Sequence, residues 1–107
     1  MFRQGDVLLV PIPDTQLPQD EVPLARDTRG RLVLALGEAT GHAHAVAAPD
    51  ADLLADAADL DRWFLRIVTE AMLSHEEHDP IPLPPGLYQA VRQREYVLGA
   101  RSRTVED

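Results

Sequence analysis

The chain has 107 residues, 45% of them apolar, which suits one globular domain around one hydrophobic core and argues against disorder of the whole chain. Eighteen acidic and ten basic side chains give a formal charge of −8, a field that repels polyanions and disfavours general nucleic-acid binding. Cysteine is absent, which excludes disulfides, thiolate nucleophiles and cysteine-based zinc knuckles, and no apolar run approaches the ~18 residues that span a bilayer. Because Met1–Asp6 is unlike a signal peptide, the expected location is the cytoplasm, with no membrane partner.

Nine prolines and six glycines punctuate the chain, and short strands with turns tolerate this better than helices do. Asp6–Ile12 is an apolar run rich in strand formers, followed by Pro13–Pro23, which reads as an irregular surface loop. Arg29-Gly30 is a turn signal that would pair Val22–Ala25 with Leu32–Leu36 as a hairpin. Gly37 closes that strand, Gly41 marks a further turn, and His42–Val46 begins the next strand. Pro49–Asp61 fits either a short helix capped by Asp50 or an edge strand Asp52–Ala55 with a polar loop through Asp59. The hairpin is favoured, because Trp63–Val68 follows as a strand and Met72–His75 extends it or forms another.

The Asp79–Gly86 segment, with Pro80, Pro82, Pro84 and Pro85, predicts a stiff extended loop. Leu87–Arg94 alternates apolar and polar residues, the mark of a half-buried strand with Leu87, Gln89 and Val91, or their complement, inward. Trp63, Phe64, Tyr88 and Tyr96 are expected in the core or at its rim. The reading is therefore all-β: a single small barrel or sandwich over residues 1–98, and a polar, frayed tail over residues 99–107.

All four histidines fall in two tight pairs, His42-x-His44 and His75-x-x-His78, with thirty residues between them. Residues two apart on a strand share a face, so His42 and His44 would present two imidazoles side by side. His75 and His78 can join them only where the chain bends. Three or four imidazoles around one divalent ion, zinc first and iron or manganese next, would make a metal centre with room for a water. Glu76 and Glu77 lie between the second pair in sequence and are candidates for the base acting on that water, with Asp79 close by. This spacing is not the helical zincin motif, whose histidines stand four apart, and the chain has no phosphate-binding glycine loop, nucleophile elbow or dinucleotide fingerprint.

The expected function is thus a metal-binding β-domain, leaning towards a metal-dependent hydrolase of a small or phosphate-containing substrate. Two other classes fit the same residues. One is an accessory or interaction module with a structural metal. The other is a metal-free phosphoesterase in which histidines act as acid and base, and Thr40, Ser74, Arg92, Arg94, Arg101 and Arg103 hold the phosphate. Exposed strand edges make a homodimer a further expectation.

Gly41-His42-Ala43-His44 and Pro84-Pro85-Gly86-Leu87-Tyr88 resemble the HxH strand and Pro-x-Gly turn of the cupins, which implies a β-barrel holding a metal with histidines and a glutamate. Ala48 and Pro49 stand where that pattern has its glutamate, and Gln89 where it has a third histidine, so His75 or His78 would have to supply what is missing. The wider combination, Gly-His-x-His, His-Glu-Glu-His and Pro-Gly-x-Tyr, with Arg92–Tyr96 closing the last strand, resembles small bacterial proteins of no established function.

Overall fold

The computed structural model describes residues 1–36, 43–75 and 78–92, with the backbone alone at Leu36 and Arg92. It is all-β. The strands are β1 (Phe2–Gln4), β2 (Val7–Ile12), β3 (Glu21–Pro23), β4 (Leu32–Leu36), β5 (Ala43–Val46), β6 (Asp52–Asp56), β7 (Asp59–Ile67), β8 (Ala71–His75), β9 (His78–Leu83) and β10 (Gly86–Arg92). They form two antiparallel sheets, one ordered β1-β2-β10-β7-β6-β3 and the other β4-β5-β8-β9. Of the two expected architectures the sandwich is the one formed: neither sheet closes on itself.

The main core fills the space between the sheets. Val7 and Leu9 of β2, Leu65 and Ile67 of β7, and Tyr88 and Ala90 of β10 face Leu32, Leu34, Val46, Leu73 and Leu83 of the second sheet. A smaller cluster of Leu54, Phe64 and Leu87 lies on the other side of the large sheet, covered by Ile12 and Leu17. The strand β10 therefore buries both its faces, which explains why Leu87 and its complement Tyr88 are both inside. Phe64 is fully buried, Tyr88 donates its hydroxyl to Pro84 O at 2.7 Å, and half-buried Trp63 donates Nε1–H to Leu60 O. No helix among the described residues is long and apolar enough to cross a membrane.

The Asp52–Asp61 region forms the expected hairpin, but β6 is not an edge strand, since β3 covers its other side; the turn is held by Asp56, which accepts from Ala58 N and from Arg62 Nη1. Other expectations need correction. Val22 does not pair with the Leu32 strand: β3 runs beside β6, with Val22 opposite Ala55. The Arg29-Gly30 turn does form, Gly30 taking φ +78°, but it carries the chain from one sheet to the other instead of closing a hairpin. Pro13–Pro23 is not wholly irregular, since it holds a 3-10 turn at Asp14–Gln16 as well as β3. Of the four prolines after Asp79, only Pro84 and Pro85 lie in a loop. Pro80 and Pro82 sit inside β9, the outer strand of its sheet, where a missing N–H costs little and blocks further pairing. The expected turn at Gly37–Gly41 and the expected tail lie outside the described residues.

Candidate metal centre

Three strands of the smaller sheet bring three histidines abreast. The β5 and β8 strands pair Val46 with Leu73 and Ala45 with Ser74, so one step further puts His44 beside His75. In turn β8 and β9 pair His75 directly with His78. The two histidines three apart in sequence thus meet across a hairpin, a geometry that lets both use one face. Ring centroids of His44 and His75 lie 4.2 Å apart, and those of His75 and His78 4.8 Å, close to the ~4.8 Å spacing of neighbouring strands.

The outer two rings lie closer together than their strands do. Their strands are two spacings apart, roughly 9.6 Å, yet the centroids of His44 and His78 are separated by only 5.7 Å. The rings therefore lean inward and converge. A register shift in β8 between Leu73 and His75 supplies local bending, as a bulge does. One ligand nitrogen from each of His44, His75 and His78 lies within 4.8 Å of the other two. Exposure rises along the row, from buried His44 through half-buried His75 to exposed His78, so the cluster opens to solvent on its His78 side.

The other sheet orients the innermost ring. Buried Gln4, at the end of β1, donates Nε2–H to Leu73 O at 3.0 Å and to Asp79 O at 2.9 Å. Two carbonyl acceptors fix which end of the amide is nitrogen, so Oε1 must accept from His44 Nδ1–H at 2.9 Å. That assigns the tautomer: His44 carries a proton on Nδ1, which leaves Nε2 as the nitrogen for a metal, the arrangement a metal-binding imidazole needs.

Gly5 follows in the turn between β1 and β2 and takes φ +58°, the left-handed value that a two-residue hairpin loop demands. A Cβ at Gly5 would stand 3.0 Å from His78 Nε2 and 3.2 Å from His44 Nε2. The glycine thus leaves vacant a point nearly equidistant from two candidate ligand nitrogens. Neither Gln4 nor Gly5 figured in the sequence reading. Gly5-Asp6, a pair typical of two-residue hairpin loops, was a usable signal, whereas nothing in sequence marks Gln4 as a partner of a histidine forty positions away.

Of the other expected site residues, His42, Glu76, Glu77, Thr40, Arg94, Arg101 and Arg103 lie outside the described residues, as does the side chain of Arg92. Ser74 lies on the outward side of its sheet, where its hydroxyl donates to Ala45 O at 3.2 Å. Gln89, in the place of the third histidine of the cupin pattern, is opposite Val10, three residues and roughly 10 Å along β2 from the Val7 that pairs with Gln4. It takes no part in the cluster. His75 and His78 are the residues brought to His44.

Residues 3–93 match the family model described as "Domain of unknown function (DUF8820)", and the chain belongs to that family. No curated protein and no solved structure matches it.

Proposed function

We propose that this member of a family without an assigned activity binds a divalent metal ion on His44, His75 and His78, and uses it to activate water for hydrolysis. The observation that carries the reading is the convergence of three imidazole nitrogens from three strands within 4.8 Å. The Gln4 hydrogen bond to His44 Nδ1, which orients that ring, supports it. All-imidazole coordination suits zinc best, with iron or manganese as the next choices. The solvent-facing side at His78 favours an open coordination position over a closed structural site.

An ion held this way supplies Lewis acidity, which lowers the pKa of a bound water towards neutrality. Glu76 and Glu77, each next to a histidine in sequence, are the proposed proton acceptors, and the cytoplasm is the proposed setting. His42, two positions before His44, is the proposed fourth ligand of the competing closed-site, structural reading.

Elemental analysis and zinc titration of tag-free protein test this. Wild-type protein is expected to bind one equivalent, and His44→Ala to lose more than the ~100-fold that supporting partners alone contribute. His42→Ala separates the two versions of the site: full retention of zinc leaves an open three-histidine centre, and loss equal to that of His44→Ala makes it a closed one. Failure of wild-type protein to take up zinc, iron or manganese sinks the metal reading altogether.

A further inference from the structure

A depression of about 220 Å3 adjoins the cluster, lined by Arg31, Ala43, Ser74 and His75. At ~30 Å3 per water it has room for a few waters, and it is below the ~300–1,000 Å3 of sites for drug-sized ligands. It fits a small ligand or the end group of a larger one. Its polar lining is uneven. The Ser74 proton is committed to Ala45 O, so Arg31 is the main donor, and it is the one cation among the described lining residues.

Arg31 is held in a particular way. Asp27 Oδ2 accepts from its Nε at 2.8 Å, while Asp27 Oδ1 accepts from the backbone amides of Arg29 and Arg31. The carboxylate thereby fixes the near nitrogen of the guanidinium. The outer pair, Nη1 and Nη2, makes no hydrogen bond or ion pair among the described residues. A planar guanidinium clamped at Nε and bare at its outer edge is a two-pronged donor matched to a carboxylate or phosphate group.

We propose that this depression is an oxyanion subsite, in which Arg31 grips a carboxylate or phosphate group of the substrate against His75. The subsite deepens the metal-hydrolase reading by naming a substrate class, an oxyanion-bearing small molecule. Its position beside an ion rests on that reading, but anion binding by Arg31 does not. Because the net charge of −8 repels anions at long range, affinity must come from this local contact and falls as salt rises.

The test is a titration of inorganic phosphate, and separately of acetate, into the full chain followed by amide NMR, on metal-free and on zinc-loaded protein. Saturable shifts at Arg31, Ser74 and His75 are expected, and whichever anion binds tighter identifies the recognised group. Arg31→Met should weaken binding at least tenfold, with only the small fall in melting temperature that loss of the Asp27 ion pair brings. Arg31→Lys, which keeps the charge without the fork, should fall between and guards against a folding defect in the first variant. Anion binding by metal-free protein that Arg31→Met abolishes establishes the subsite even if no metal is ever taken up. Equal affinity in Arg31→Met and wild-type protein, shifts that map elsewhere, or no saturable shift with either anion overturns it.

Discussion

Arg26 and Gln4 use the same device, a long side chain that donates to backbone carbonyls of distant segments, and end in different chemical states. Arg26 gives Nη1–H to Gly30 O at 2.8 Å, and Nη2–H to Ala48 O at 2.8 Å, Pro49 O at 3.3 Å and Ala51 O at 2.7 Å. Each partner is a main-chain acceptor in or beside a turn, so the knot is closed and purely architectural. Gln4 also satisfies two carbonyls, Leu73 O and Asp79 O, but its third bond goes to an imidazole. That bond sets the ring with Nε2 beside the space that Gly5 keeps clear. Polar bonding that ends on main-chain carbonyls holds a fold together; bonding that ends by orienting an imidazole prepares a site.

Loss of the Arg26 knot should have the largest effect on stability. Arg26→Met leaves those carbonyls without their shared donor, and water repairs only the exposed ones, so a loss of about 2–3 kcal/mol is expected. Urea unfolding should show it as a lower midpoint with an unchanged slope. Zinc affinity of the folded variant should equal that of wild-type protein. A parallel fall in affinity would mean that the two knots are coupled and that the contrast drawn between them is wrong.

Gln4 should show the opposite division. Gln4→Met removes the acceptor for His44 Nδ1–H, and zinc affinity is expected to fall by about 10–100-fold, the range for partners that orient metal-binding histidines. It also strands two carbonyls, with a stability cost of about 1–3 kcal/mol. Gln4→Glu sharpens the result. A carboxylate can still accept from His44 but cannot donate to Leu73 O and Asp79 O, so affinity should survive while the urea midpoint drops. If Gln4→Glu loses affinity as severely as Gln4→Met, orientation of His44 is not what Gln4 supplies.

Most of the strands were legible because their signals are local. Asp6–Ile12, Asp52–Ala55 and Trp63–Val68 are β-prone runs bounded by turn residues, and each holds a strand, within β2, β6 and β7. What failed depended on partners. Val22–Pro23 carries the same strand signal whether it pairs with Leu32 or with Ala55, and only the packing of the sheet decides. Pro80 and Pro82 look like loop residues until the strand is known to lie at an edge. The histidine pairs were conspicuous in sequence, and the convergence of His44, His75 and His78 follows from a register that no local pattern encodes. Gln4 was invisible for the same reason, since an exposed-looking amide near a chain end becomes a buried partner only after two sheets meet.

Asp27 offers the smallest effect and a third point on the same scale. Its carboxyl is held below the ordinary 3.8 chiefly by the backbone amide of Arg31, with the Arg31 guanidinium and the Arg29 amide adding and burial partly offsetting them. Because the folded value is the lower one, the carboxylate contributes stability above pH ~4, and that contribution is lost as pH falls through the folded value. Asp27→Asn keeps an acceptor for the two amides but discards the charge, so the variant should be slightly less stable than wild-type protein at pH 7. The gap should narrow as pH falls below ~4, measured as urea midpoints at neutral and at acid pH. A gap that persists in acid would show that the amide contacts, and not the ionised group, account for the difference. Zinc affinity at pH 7 should be untouched, because Asp27 anchors the turn and Arg31 but makes no bond to the Gln4–His44 pair. The same substitution should nonetheless weaken phosphate binding by freeing the Arg31 guanidinium to swing, so Asp27 separates the oxyanion contact from the imidazole cluster without altering either set of ligating groups.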